Sequence, residues 1–297
     1  MWSAGFAKEG NRTVFAGPDV QAGTFITAMG RIRHSHYHIR HKARAHEKPG
    51  SFRIAVLADL HNRVYGSDTA SLFEEILEED CDAVLSAGDL VLMKGGRYAF
   101  DQALRLAGAL ARRLPVYVMD GNHEMRMART APAQYRRYEE ILKKRGVVCL
   151  HNESADIVLN GVKLHISGLE PDYRCFRNRY HRSVSREEIH GLIGNRCEDR
   201  FNILLAHHPK YFPEYAGWGA DLTLSGHLHG GIVRLPYLGG VISPDPELFP
   251  HFDHGLFADG DSRMIVSAGL GTHTINLRIN NPSELVIADI TVENNGY

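Results

Sequence analysis

From Phe52 onward the apolar positions alternate between two periods. Phe52 to Ala58 (FRIAVLA) is a short, β-branched apolar run, which predicts a buried strand. Ala70 to Glu79 carries Leu72, Phe73, Ile76 and Leu77 at helical spacing. Ala83 to Ser86 predicts another buried strand, Gln102 to Arg113 a helix, and Pro115 to Met119 a third strand. Pro132 to Arg145 reads as a helix, with Pro early and Gly146 closing it. Strand, helix, strand, helix, strand implies a parallel α/β sheet.

After Val147 the runs shorten. Strands are expected at Ala155 to Leu159, Val162 to Ile166, Phe201 to Ala206, Leu222 to Leu224, Met264 to Ala268 and Glu284 to Thr291. The Asn160-Gly161 pair between the first two is a hairpin signal. Arg186 to Ile193 reads as a short helix. Residues 1–30 are rich in Gly and Ala without a period, and read as a weakly ordered extension or irregular lead-in. Arg31 to Lys48 (RIRHSHYHIRHKARAHEK) is dense in His, Arg and Lys. A metal-binding tract and a patch for anionic surfaces are two readings of it. The reading adopted is an edge strand around Tyr37 to Arg40 followed by a solvated turn, because the tract has no acidic or Cys partners at local spacing. Residues 1–48 are thus assigned to an N-terminal extension and edge strand, and 49–293 to one domain.

Composition narrows the class. The 297 residues are 43% hydrophobic and 23% charged, with a net charge of −1, as in an ordinary globular protein able to bury a sizeable core. There is no basic excess of the kind that marks a dedicated nucleic-acid binder. Cys81, Cys149, Cys175 and Cys197 are scattered and form no C-x-x-C pair, so reduced thiols are expected. No run of about 18 apolar residues predicts a spanning helix, and residues 1–30 lack the apolar core of a signal peptide. A cytoplasmic protein is expected.

Five polar segments each follow a predicted strand: Asp59-Leu60-His61, Gly88-Asp89, Gly121-Asn122-His123-Glu124, His207-His208-Pro209 and Gly226-His227-Leu228-His229-Gly230-Gly231. In open α/β sheets ligands bind beyond the carboxyl ends of the strands. Singly these segments are weak. A lone D-x-H arises by chance, and G-D or G-N-H can be a turn. The informative feature is the set, since each strand end offers nitrogen or oxygen donors.

In this order the set resembles the calcineurin-like metallophosphoesterase signature, over about Phe52 to Ile290. The tail is similar to the bacterial phosphodiesterase-like branch of that superfamily. It carries Ser243-Pro244-Asp245, His254-Gly255-Leu256-Phe257, Ser267-Ala268-Gly269-Leu270-Gly271 and Leu277-Arg278-Ile279-Asn280-Asn281-Pro282-Ser283-Glu284-Leu285. Members of that branch often carry an N-terminal membrane segment, which is not expected here. The resemblance implies a four-layer α/β/β/α sandwich of two mixed sheets flanked by helices, its second half antiparallel. It also implies two metal ions. Asp59, His61 and His229 would hold one; Asn122, His207 and His227 would hold the other; Asp89 would bridge them. His123 would face the substrate phosphate and assist the leaving oxygen.

Physical chemistry gives these roles their reason. Two cations about 3.5–4 Å apart repel, and a shared carboxylate relieves the repulsion. A water bridging them loses a proton near neutral pH, giving a hydroxide for in-line attack on phosphorus. Imidazole, carboxylate and amide donors suit Mn, Fe, Zn or Ni better than a pure Mg or Ca site.

Neighbouring residues receive structural readings. Only one of His207 and His208 can point to the metals if the segment is extended, and His208 is then second to the site or faces solvent. Glu124 reads as a helix cap, Asn62 as a turn residue or a substrate contact, and His165 as a packed strand histidine. Arg174, Arg177, Arg179 and Arg182 could embrace phosphate but read as a solvated loop. Gly230-Gly231 are expected to let backbone approach the metal site. The expected function is hydrolysis of a phosphodiester, phosphomonoester or pyrophosphate in a small molecule, with no stable nucleic-acid partner. Alternatives are a non-catalytic metal-bound scaffold and a nuclease, the latter wanting a basic track beside the site. Substrate, metal identity and oligomeric state are not encoded in any motif.

Overall fold

Ten-residue register between the two ends of the described chain sets the frame. In the computed structural model, residues 32–67, 69–177, 180, 182–231, 234–235, 239–240, 250–272 and 278–294 are described. The N-terminal extension 1–30, Arg31, Arg179, Ser243-Pro244-Asp245, most of the 232–249 loop and Leu277 lie outside them.

The elements run β1 (Arg33–Lys42), β2 (Gly50–Leu57), α1 (Ala70–Glu78), β3 (Ala83–Ser86), β4 (Leu92–Lys94), β5 (Arg97–Ala99), α2 (Asp101–Leu110), β6 (Val116–Val118), α3 (Asn122–Thr130), α4 (Pro132–Lys144) and β7 (Val148–Cys149). There follow β8 (Ser154–Leu159), β9 (Val162–Gly168), α5 (Arg186–Ile193), β10 (Phe201–Leu205), α6 (Phe212–Trp218) and β11 (Leu222–Ser225). Last come β12 (Arg234–Leu235), β13 (Gly239–Gly240), β14 (Gly255–Asp259), β15 (Ser262–Val266) and β16 (Glu284–Glu293). The first sheet has the order β1-β16-β2-β3-β6-β7 and the second β14-β15-β11-β10-β9-β8.

Side-chain alternation turns these sheets into four layers. Phe52, Ile54 and Val56 of β2 join Phe201, Ile203 and Leu205 of β10 in the core between the sheets. Ala55 and Leu57, on the other face of β2, pack with Leu72 and Ile76 of α1 and Leu106 and Leu110 of α2. Leu204, Met264 and Val266, on the outer face of the second sheet, pack with Ile189 of α5 and Phe212 and Tyr215 of α6. Three apolar layers separate helix, sheet, sheet and helix, and each buried Leu, Ile or Val contributes about 1.5–3 kcal/mol.

Two expectations change. The second sheet is not an antiparallel half: β9, β10, β11 and β15 run parallel, and only β8 and β14 at its edges are antiparallel. The connections β9–β10 and β10–β11 run through α5 and α6, the crossovers that parallel neighbours require. The edge strand in the His/Arg tract is β1, longer than Tyr37 to Arg40, and it pairs with β16 over ten residues. Contrary to expectation the tract has an acidic partner of its own, Glu47, 2.9 Å from His41 Nε2, and others come from elsewhere in the chain. His34 meets Glu75 at 2.8 Å and Glu79 at 2.5 Å, and His38 lies 3.3 Å from Asp289. No described helix is long and apolar enough to cross a membrane.

Candidate metal centre

The carboxyl ends of both sheets open on one place. Asp59 lies two residues past β2, Asp89 three past β3 and Asn122 four past β6. From the second sheet, His207 lies two past β10, and His227 and His229 follow β11. Backbone hydrogen bonds tie the loops together. Asp59 N–H donates to Gly88 O at 3.0 Å, His61 N–H to Asp89 O at 3.0 Å, and Gly226 N–H to His207 O at 3.0 Å. Across the sheets, His227 N–H donates to Asp59 Oδ2 at 3.0 Å.

The chain turns sharply at these points. Asp59, His61, Asp89, His227 and His229 all have positive φ, between 48° and 72°. Asp, Asn and His tolerate this region better than other side chains, at about 1–3 kcal/mol each, and such strain gathers at functional sites. Two glycines make room. A Cβ on Gly121 would collide with the Asp89 carboxylate, and one on Gly226 with that of Asp59.

The donor atoms fall into overlapping groups. Asp59, His61 and His229 form one, with His61 Nε2 3.0 Å from His229 Nε2 and His229 Nε2 3.4 Å from Asp59 Oδ1. Asp89, His207 and His227 form a second, with His207 Nε2 3.2 Å from Asp89 Oδ2. Asp89 also groups with His61 and His123. The His123 ring lies 3.9 Å from Asp89 Oδ2, and its backbone N–H, at the start of α3, donates to Asp89 Oδ1 at 2.8 Å. Asn122 Oδ1 is buried and has no hydrogen-bond partner, a costly state for an amide oxygen unless a cation meets it. Two carboxylates, four imidazoles and one such amide oxygen fit a pair of Mn-, Fe-, Zn- or Ni-class cations.

Charge in the pocket is unevenly shared. Burial raises Asp59 to about 7, helped by the neighbouring Asp89 charge. Burial works against Asp89 as well, but His207, His123 and His61 hold it well below the usual carboxylate range. Burial opposes a charge on His207, yet Asp89 brings it up to about 9. Bound cations would take over the protons' task of neutralising these carboxylates.

The surrounding residues sort themselves. His208 is buried and does not face solvent. It stacks on Phe176 at 6.0 Å between centroids, and burial beside His207 pushes it down to about 3. Glu124 caps α3 by accepting from Gly121 N–H, and also accepts from the N–H groups of Asp89 and Val91, at 2.9–3.0 Å. Asn62 Oδ1 accepts from Gln102 N–H at 2.8 Å, in the first turn of α2 forty residues along the chain. His165 pairs with Asp156 on β8. Arg174 and Arg182 pair with Asp172 and Glu188. A Cβ on Gly230 would meet Asn281 and Ala268 rather than the candidate donors.

Three contributors were invisible to sequence reasoning as site residues. Asn281, wholly buried, donates to the carbonyls of His229 and Gly231 and so pins the G-H-x-H-G-G loop. Arg278 donates to Gly269 O at 3.1 Å and lies 3.4 Å from His229 Nδ1. Phe176 lies 5.7–6.0 Å from the His207, His208 and His227 rings. Asn281 and Arg278 lie in a quoted tail motif, but nothing in their spacing assigns a role, and Phe176 has no motif.

Comparison with known proteins agrees in family. The calcineurin-like phosphoesterase model matches residues 52–231. The metallophosphoesterase YkuE of Bacillus subtilis is 26% identical over 252 residues, covering 80% of this chain and 78% of that protein. Phosphodiesterase YaeI of Escherichia coli is 24% identical over 271 residues, covering 85% and 87%. A solved structure, phosphopantetheinyl hydrolase from Mycobacterium tuberculosis, overlays with a TM-score of 0.42 at 14% identity, over 72% of this chain and 87% of that one. With its signature segments gathered at the joined ends of two sheets, the chain belongs to the calcineurin-like phosphoesterases, a family of metal-dependent phosphoester hydrolases.

Proposed function

We propose that this phosphoesterase hydrolyses phosphodiesters at a binuclear centre. Asp59, His61 and His229 would hold one cation, and Asn122, His207 and His227 the other, with Asp89 shared. The observation that carries the reading is the double membership of Asp89, grouped both with His207 and His227 and with His61 and His123. A relative named as a phosphodiesterase adds support for a diester. When bound, the two cations would activate water and balance the charge that develops on the phosphoryl oxygens.

The chain's own residues supply the rest. His123 sits in the first turn of α3 with its ring beside Asp89, and would hand a proton to the leaving oxygen. The N–H groups at the start of α3 favour negative charge at the same point. Glu124 holds the Asp89 and Gly121 backbones at a fixed separation, which keeps His123 in register with the carboxylate. Asn281 fixes the carbonyls that orient His229.

The test is hydrolysis of bis-p-nitrophenyl phosphate by metal-stripped protein with Mn added back. Asp89→Asn and His123→Gln are run beside the unchanged chain. Mn-dependent turnover that collapses in both variants is expected. Stoichiometric metal binding without turnover under Mn, Fe, Zn or Ni would overturn the general diesterase reading in favour of a metal-bound scaffold or an enzyme of narrow specificity. A cytoplasmic location is part of the proposal, since all four cysteines are free. A fused reporter active only outside the cytoplasm should stay silent, and its activity would refute that location.

A further inference from the structure

At the far edge of the second sheet a different group of donors converges. Asp156 on β8 and His165 on β9 are direct cross-strand partners. Their side chains share the face opposite the inter-sheet core, and His165 Nδ1 lies 2.8 Å from Asp156 Oδ1. The loop after α5 brings Cys197 over the same pair, and one donor atom from each of the three residues lies within 4.8 Å of the others.

Cys197 is not there by accident of a loose loop. Its N–H donates to Asn202 Oδ1 and its carbonyl accepts from Asn202 Nδ2, both at 2.8 Å. Asn202 is fully buried on β10, where it pairs in register with His165. One buried amide therefore fixes the thiol's backbone directly beside the imidazole. Cys197 is also the one cysteine of the four that is not buried.

We propose that Asp156, His165 and Cys197 form a second metal site, separate from the phosphoesterase centre, for a single zinc-class cation. Sulfur, imidazole and carboxylate are the donor set of a borderline-soft ion, and three protein ligands leave a fourth position for water. A tetrahedral ion sets its donors about 3.3–3.7 Å apart, which small side-chain rotations achieve from the observed spacing. Mg and Ca, which want oxygen cages, are disfavoured by the same donors. Arg200 is the cation now beside the group, with its Nη2 3.6 Å from Asp156 Oδ2 and its Nε 3.6 Å from Asp199 Oδ1. These long contacts let the guanidinium swing away when a dication arrives. The site would tie β8, the sheet edge, to the 194–200 loop.

The experiment is a Cd(II) titration of the full chain preloaded with Mn, read by the sulfur-to-cadmium charge-transfer band in the near ultraviolet. The phosphoesterase centre has no thiolate donor, so Cd entering it adds no such band. One saturating equivalent is expected for the unchanged chain, no band for Cys197→Ser, and about tenfold or greater weakening for His165→Ala and Asp156→Ala. Arg200→Gln should tighten binding. Diester turnover of Cys197→Ser should match the unchanged chain, which separates this site from the proposed centre and reports intact folding. A band that persists in Cys197→Ser, its absence at excess Cd in the unchanged chain, or an affinity in His165→Ala and Asp156→Ala equal to that of the unchanged chain would overturn the site.

Discussion

Histidine is concentrated in two regions of this molecule, with opposite consequences. In β1, His34, His36 and His38 stand on one face of a regular ten-residue strand. Each finds a carboxylate on another element: Glu75 and Glu79 on or beside α1, and Asp289 on β16. At the joined sheet ends, His61, His207, His227 and His229 come from three loops and meet over two shared buried carboxylates. One arrangement gives each imidazole its own acid and settles into ion pairs. The other gives too few carboxylates for the imidazoles and leaves an amide oxygen unanswered. Density of histidine along the chain does not distinguish a metal centre; the ratio and convergence of donors in space do.

The sharpest way to break this contrast is to remove one histidine from each region. His227→Ala should lower bis-p-nitrophenyl phosphate turnover by about 10³-fold or more and leave less than two Mn per chain, measured by steady-state kinetics and metal analysis. The paired substitution His36→Gln and His38→Gln should leave both within about twofold, since surface pairs of this kind contribute little. Equal losses in the two variants would mean that the tract takes part in metal binding or catalysis.

Most of this contrast can be read in the sequence at the level of position. The strand ends carrying Asp59, Asp89, Asn122, His207 and His227 follow apolar runs whose period and length are clear. What stays hidden depends on long-range pairing. Glu79 and Asp289 reach β1 from 45 and more residues away, so no local spacing could show them. The parallel centre of the second sheet hides in four- and five-residue strands, joined partly by the seven-residue α6, too short to give a helical period. The α3 helix carries mostly polar residues around its start, so its apolar stripe is weak. Asn281 is one amide in a run of loop residues, and only its contact with the His229 and Gly231 carbonyls gives it meaning.

The next effect in size concerns how the second sheet is held against the first near the centre. Glu284 is fully buried at the start of β16. Its Oε1 meets His254 Nε2 at 2.8 Å and Arg33 Nη2 at 3.0 Å, and its Oε2 accepts from Ala268 N–H at 2.7 Å. Burial opposes its charge, but His254 and Arg33 outweigh burial and hold the carboxyl well below the usual range. Its stabilising effect is therefore fully present above an unfolded value of about 4.3 and is lost as pH falls through the lower folded value. Glu284→Gln should cost about 3 kcal/mol at pH 7 in urea unfolding, and the gap to the unchanged chain should narrow below about pH 4. A gap independent of pH would show that shape, not charge, is what Glu284 supplies.

A smaller change sharpens the comparison at the site itself. Asn281→Ala leaves every candidate donor in place but frees the loop that carries His227 and His229. Mn affinity should fall about 10–100-fold, the range for residues that orient ligands, with turnover recovering at high Mn. Loss that no amount of Mn repairs would place Asn281 in the folding of the loop rather than in the aim of His229.

The smallest effect tests whether β1 histidines act as ion pairs at all. Burial lowers the basicity of His34, but its hydrogen bonds to Glu75 and Glu79 outweigh burial and raise its pKa above the ordinary imidazole value of about 6.5. A raised folded value means that stability from the protonated ring is complete below about pH 6.5 and disappears as pH rises through the folded value. The ring is partly exposed, so screening keeps the contribution below about 1 kcal/mol. His34→Gln should therefore lower Tm more at pH 5.5 than at pH 9, and the difference should shrink in high salt. A deficit that is the same at both pH values would mean that β1 is held by its backbone ladder to β16 and its buried Tyr37 and Ile39. The histidine stripe would then be a solvated face whose charge contributes nothing to the fold.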